Sequence, residues 1–248
     1  MTTIRWVWAF LDRPAAQFDD CAEFWTAVTG TSLSAPRGEH GEFVTLLPDS
    51  GSPTVKMQAI GGDPRIHLDF DVDDVQAATD RAVALGATLV ADYILTEHIG
   101  YAVLRSPHGM TFCFTPFRDA VEGLSPAVEG PEGARSRLDQ VCLDIGANDY
   151  ETEARFWTEL TGWAWRPGSL PEFSRLSARP GIPIDLLLQR LGEDRPTAGH
   201  VDLACTDIEA TAAWHERLGA QRGQQGKHWI VMTDPSGQQY CLTGREPA

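Results

Sequence analysis

Two short strings carry the side chains best suited to chemistry, His67-Leu68-Asp69-Phe70 and His200-Val201-Asp202-Leu203. Each presents an imidazole, which can bind a metal, contact a ligand, or hold a neighbouring strand through one ring nitrogen; the residues alone leave these open. The cysteines, Cys21, Cys113, Cys142, Cys205 and Cys241, are odd in number and include no CxxC pair, so they are expected to be reduced and buried. As thiolates, Cys113 and Cys241 are zinc ligands in principle. Their apolar strand context points instead to inert lining residues, and no Lys or Arg adjoins either one to lower its pKa and make it a nucleophile. The run Asp69, Asp71, Asp73 and Asp74 alternates with apolar residues into a helix start, and the expectation is a solvated face with helix capping. His98, His108 and His228 fall in predicted loops or turns and are given no role.

Six of the eight tryptophans divide by setting. Trp25 and Trp157 sit in a repeated helical string and are expected to pack in the core. Trp6, Trp163, Trp165 and Trp229 lie on or beside predicted strands, where flat aromatic walls either stack on a planar ligand or fill the interior.

The elements that must position these residues repeat. Phe24-Trp25-Thr26-Ala27-Val28-Thr29-Gly30 returns as Phe156-Trp157-Thr158-Glu159-Leu160-Thr161-Gly162, and Leu85-Gly86-Ala87 returns as Leu218-Gly219-Ala220. Ser106-Pro107-His108-Gly109 with Phe112-Cys113-Phe114 matches Asp234-Pro235-Ser236-Gly237 with Tyr240-Cys241-Leu242. In the first copy, apolar periodicity predicts a strand over 4–11, a helix over 16–29 stopped by Gly30, and strands near 32–36, 42–47 and 54–60. A strand at 65–72, a helix over 74–85 stopped by Gly86, and strands near 87–92, 100–105 and 110–115 follow. Each copy is thus two βαβββ modules. The Gly-, Pro-, Ala- and Glu-rich stretch between copies predicts an exposed linker, with domains at 1–118 and 136–248 and the linker at 119–135.

With 42% apolar and 22% charged residues the chain has the composition of a globular protein, and its net charge of −15 disfavours nucleic acid and anionic membrane surfaces. No run approaches the roughly 18 apolar residues of a membrane span, and the first residues lack a signal-peptide pattern, so the expected location is cytoplasmic.

The repeated blocks, in their order and spacing, resemble the vicinal oxygen chelate superfamily, the glyoxalase, bleomycin-resistance and extradiol dioxygenase group, and specifically its glyoxalase-like domains. The resemblance implies an α+β fold: two glyoxalase-like domains, each of paired βαβββ modules forming an incomplete barrel or cup around a ligand. In metal-dependent members a divalent ion is held from the first strand, the end of the fourth, the start of the fifth and the last strand. Carried over, those positions are Trp6, Gln58, His67 and Cys113 in the first copy, and Gln140, Gln189, His200 and Cys241 in the second. Only the histidines are strong ligands there and both family carboxylates are missing, so both metal sites are expected to be degenerate.

The expectation is a protein that binds a small organic molecule through these eight residues, with no cofactor and no metal. The second cup is expected to be the more competent, because Gln140 replaces bulky Trp6. The alternatives are a metal-dependent lyase, isomerase or dioxygenase acting on vicinal oxygens, and an acidic cup that sequesters a cationic antibiotic. Whether it is an enzyme stays open, as does monomer against homodimer.

Overall fold

In the computed structural model, residues 3–96, 99–118 and 122–247 are described; His98 and residues 119–121 of the predicted linker lie outside them. The first copy runs β1 (Ile4–Pro14), a short 3-10 turn, α1 (Phe18–Thr29), β2 (Thr31–Leu33), β3 (Phe43–Pro48) and β4 (Val55–Ile60). It continues with β5 (Arg65–Val72), α2 (Val75–Ala84), β6 (Thr88–Thr96), β7 (Ile99–Arg105) and β8 (Thr111–Pro116). After β9 (Val128–Glu129), the second copy runs β10 (Arg135–Ile145), α3 (Tyr150–Thr161), β11 (Ala164–Pro167), β12 (Phe173–Ser177) and β13 (Asp185–Arg190). It ends with β14 (Ala198–Cys205), α4 (Ile208–Arg217), β15 (Gln221–Gln225), β16 (Trp229–Thr233) and β17 (Gln239–Gly244).

The strand orders are β2-β3-β4-β1-β5-β8-β7-β6 and β11-β12-β13-β10-β14-β17-β16-β15, the same open topology twice. This is the expected α+β fold of paired βαβββ modules, with neither sheet closed.

Local chemistry accounts for the boundaries. α1 buries Cys21, Phe24, Trp25 and Val28 along one helical stripe, and Gly30 then takes the left-handed conformation (φ 60°) that ends the helix. α3 repeats the device with Phe156, Trp157, Leu160 and Gly162 (φ 67°). Asp74 caps α2 by accepting the Ala77 N–H at 2.9 Å, and Asp207 caps α4 by accepting those of Glu209 and Ala210 at 3.0 Å each. The linker is not wholly irregular. Val128 and Glu129 pair antiparallel with Ser136 and Arg135, so a turn through Gly130 and Gly133 satisfies backbone groups that an exposed segment would leave to water.

Compactness and repetition partition the chain differently. One compact unit comprises residues 1–9, 66–120 and 141–199; the other comprises 10–65, 121–140 and 200–248. In the first, the Trp157 ring of α3 meets Phe112 of β8 at 5.2 Å and Phe70 of β5 at 6.3 Å. In the second, Trp25 of α1 meets Tyr240 of β17 at 5.3 Å, and Phe24 meets His215 of α4 at 5.7 Å. The Phe-Trp pair of each copy therefore packs on a last strand contributed by the other copy, which explains why both halves retain it.

Beneath each tryptophan lies a buried carboxylate. Asp234 Oδ2 accepts Trp25 Nε1 at 3.0 Å and Arg13 Nε at 2.8 Å, while Oδ1 accepts the Ser236 N–H and hydroxyl at 2.9 and 2.6 Å. In the other unit Glu153, on α3 itself, accepts Trp157 Nε1 and the His108 N–H at 2.7 Å each. Burial pushes the Glu153 carboxyl above its ordinary pKa, against hydrogen bonds from Ser106, His108 and Trp157.

Arg13 and Asp234 are both fully buried, so Asp234→Ala strands a cation and is expected to cost about 3 to 5 kcal/mol in urea unfolding. Ser106→Ala, the corresponding turn position of the other unit, should cost about 1 kcal/mol. His215, bonded through Nδ1 to the Tyr240 hydroxyl at 2.9 Å, is held neutral by burial, which pushes its pKa down to about 3. The unfolded chain takes up this proton near pH 6.5 and the folded chain does not, so stability falls as pH drops from 6.5 toward 3. Replacing His215 by Asn should remove about one proton, or about 1.4 kcal/mol per pH unit, from that slope, measured by denaturation at stepped pH.

Candidate metal centres

The two His-x-Asp strings lie on β5 and β14. Alternate residues of a strand share a face, so His67 and Asp69 point to one side while Leu68 and Phe70 enter the core on the other, both fully buried. β5 pairs in parallel with β8, setting Asp69 opposite Cys113; β14 pairs in parallel with β17, setting Asp202 opposite Cys241. Each register brings imidazole, carboxylate and thiol together. The ligand atoms of His67, Asp69 and Cys113 lie within 4.8 Å of one another, as do those of His200, Asp202 and Cys241.

In the first group His67 Nε2 stands 3.4 Å from Asp69 Oδ1. Burial, then the neighbouring Asp69 carboxylate, pushes the Cys113 thiol up to about 11, so it is no free nucleophile at neutral pH. In the second group His200 Nε2 stands 3.3 Å from Asp202 Oδ1 and 3.5 Å from Cys241 Sγ. Gln140 on β10 donates from Nε2 to Asp202 Oδ2 at 2.7 Å. Asp202 is 1% exposed, and its Oδ1 accepts no hydrogen bond among the described residues.

The predicted site residues thus fall into two sets. His67 with Cys113, and Gln140 with His200 and Cys241, are brought together, in each case through an aspartate. Gln58 falls in the compact unit that holds the His200 group and Gln189 in the one that holds the His67 group, each apart from the histidine of its own copy; Gln58 pairs with Phe43, and Gln189 accepts the Cys142 thiol at 3.7 Å. Trp6 is a buried indole. Trp229 shares a face of β16 with Val231, which is paired with Cys241. Trp163 and Trp165 border other hollows: Trp165 is half exposed beside a cavity of about 600 Å³ bounded also by Tyr150, Arg155, Phe173 and Arg190. Trp163 lines one of about 420 Å³ with Ile4 and Arg179.

Asp69 and Asp202 are the members of these groups that sequence reasoning passed over. Asp69 is not part of a solvated face: it is buried, and Asp71 accepts Trp8 Nε1 at 3.0 Å and the Thr115 hydroxyl at 2.6 Å. The signal lay in the duplicated His-x-Asp spacing, which on a strand makes both side chains neighbours on one face.

A fold of twice-repeated open sheets built from βαβββ modules, with a histidine and a last-strand residue facing each other in each copy, defines the vicinal oxygen chelate class. The chain belongs to the family of the Glyoxalase-like domain, whose model matches it twice, over residues 8–115 and 140–243. Solved structures with the same fold include the 2,3-dioxygenase LapB of a Pseudomonas species, at 15% identity and a TM-score of 0.63, covering 96% of this chain and 90% of that one. A 2,2',3-trihydroxybiphenyl 1,2-dioxygenase of Sphingomonas wittichii aligns at 15% identity and a TM-score of 0.64, over 96% and 89%. A catechol 2,3-dioxygenase aligns at 17% and 0.63, over 100% and 90%. No curated protein matches the sequence. Among the described residues, no helix is long and apolar enough to cross a membrane.

These findings correct the expectation that no cofactor is used. The neighbours are extradiol dioxygenases, the branch of the superfamily that works through a bound metal ion. A carboxylate does stand beside the histidine in each copy, as Asp69 and Asp202, in groups that could hold a metal ion.

Proposed function

We propose that the protein is a metal-dependent vicinal oxygen chelate enzyme that acts on a small organic molecule carrying two adjacent oxygens. The observation that supports this reading is the convergence of imidazole, buried carboxylate and thiol in both copies, at positions set by the β5–β8 and β14–β17 registers. An imidazole, a carboxylate and a thiol so grouped fit a divalent ion. Such an ion supplies Lewis acidity toward adjacent substrate oxygens. The residues of the chain do the rest: His200, Asp202 and Cys241 hold it on one strand pair, Gln140 keeps the Asp202 carboxylate from rotating, and Trp229 and Val231 give the same face an apolar border.

Each group within a compact unit carries one imidazole, not the two histidines and one carboxylate of oxygen-activating iron sites. The donor set therefore favours polarising chemistry, a lyase or isomerase. Ring-cleaving dioxygenation is the second reading, favoured by the full-length alignment with catechol 2,3-dioxygenase.

Protein purified without chelator is expected to carry a divalent ion by elemental analysis, and to bind catechol, used as a vicinal-diol probe, in isothermal titration. Stripping the ion should weaken that binding at least about tenfold, the scale of one lost charge-assisted contact. Undiminished binding to stripped protein would return the site to a cup that needs no metal.

A further inference from the structure

The reading above leaves open which donors bind and what kind of ion they select. We infer that the second copy holds a thiolate-ligated centre for a zinc-class ion, with His200 Nε2, one oxygen of Asp202 and Cys241 Sγ as ligands and Gln140 as the residue that orients the carboxylate. This rests on the metal-dependent reading and goes beyond it, because two of the three ligands are of a kind or at a position that the family pattern does not use.

Distances carry the argument first. Zinc binds nitrogen at about 2.0–2.1 Å, carboxylate oxygen at about 2.0–2.2 Å and thiolate sulfur at about 2.3 Å, so tetrahedral vertices stand about 3.4 Å apart for N···O and about 3.6 Å for N···S. His200 Nε2 lies 3.3 Å from Asp202 Oδ1 and 3.5 Å from Cys241 Sγ. Both separations from the imidazole nitrogen are those of ligands around one small ion, and the carboxylate and thiol complete a set whose ligand atoms lie within 4.8 Å of one another.

The carboxylate supports the same assignment. Gln140 takes Oδ2 at 2.7 Å, which leaves Oδ1 buried, without a hydrogen bond among the described residues, beside the imidazole nitrogen. A buried carboxylate oxygen left so is costly unless a cation completes it. In the first copy His67, Asp69 and Cys113 are similarly grouped, but the first-strand residue that matches Gln140, 132 positions earlier, is Trp8, whose indole Nε1 donates to Asp71 Oδ2 at 3.0 Å and which has no side-chain carbonyl. Outer partners of metal ligands commonly change affinity by about 10- to 100-fold. The second copy is therefore the tighter centre.

Thiolate also selects the ion. A set of one imidazole, one carboxylate and one thiolate suits zinc and its surrogate cobalt, and not magnesium, which takes oxygen donors in octahedral geometry. On binding, the Cys241 S–H bond breaks, its proton goes to buffer, and the sulfur lone pair forms the bond to the ion. No electron is transferred and no oxidant is required.

The test is titration of the full chain, stripped of metal, with cobalt(II) followed by absorption. A sulfur-to-cobalt charge-transfer band in the near ultraviolet with tetrahedral bands in the visible is expected, saturating first at one ion per chain. Zinc should bleach it and equimolar magnesium should not. Cys241→Ser and Cys241→Ala should abolish the charge-transfer band while Cys113→Ser retains it, with circular dichroism reporting that each variant is folded. Gln140→Leu should keep the band but weaken cobalt about 10- to 100-fold, and Trp8→Leu should leave affinity unchanged. Cobalt bound without the sulfur band, or a band that follows Cys113, overturns this inference and leaves the metal-dependent reading standing. Failure to bind cobalt or any other divalent ion overturns both.

Discussion

A buried carboxylate under a tryptophan organises each compact unit. Asp234 gathers a helix indole, a guanidinium and the polar groups of the turn that starts the last strand. Without it, Arg13 is a fully buried cation whose Nη2 already lacks a hydrogen-bond partner among the described residues. The other unit solves the same problem from the opposite side: the carboxylate moves onto the helix as Glu153, and the turn position carries Ser106. At the helix position matching Glu153 the first copy carries Cys21, whose thiol burial pushes up to about 11. The negative charge has changed places while its hydrogen bonds to indole and turn persisted. What the two units hold in common is thus a contact, not a residue.

That contact fixes the chemistry at one remove. The turn anchored by Asp234 or Ser106 sets where β17 or β8 begins, and so which residue of that strand stands opposite Asp202 or Asp69. A slip of one residue would turn Cys241 to the core face and Tyr240 toward the histidine. Tyr240 is instead pinned in the core by Trp25, Phe24 and His215. Packing on one face of the strand therefore secures the register of the donors on the other.

Much of this was legible in the sequence because it depends on period and punctuation. The Phe-Trp stripes, the helix-stopping glycines and the duplicated order of blocks all report local physics, and the structure places the elements within a few residues of the expected spans. The strand at Val128 was hidden in a Gly- and Pro-rich segment, since a two-residue pairing leaves no periodic trace. The aspartates were hidden for another reason. An acidic residue alternating with apolar ones reads as solvated, and only the three-dimensional pairing with β8 and β17 shows that Asp69 and Asp202 face a neighbouring strand's thiol. Composition reports average burial; it does not report which charge is repaid by a partner. The pairing of one copy's helix with the other copy's strand was likewise invisible, because each copy alone satisfies the same pattern.

The copies diverge most informatively at the first strand. An amide at Gln140 donates with its nitrogen to Asp202 and retains a carbonyl, so it can orient a carboxylate without neutralising it. The indole at Trp8, the matching position of the first copy, brings a large apolar surface and gives its one N–H to Asp71 Oδ2 at 3.0 Å. The remaining donors are the same in kind in both groups, His, Asp and Cys on paired parallel strands. Duplication leaves two such sets free to drift, and drift at a first-strand position changes how firmly the carboxylate is aimed while leaving the fold untouched. In this chain the hydrogen-bonded core contact is what both copies had to keep, and the first-strand residue is where they were free to become different sites.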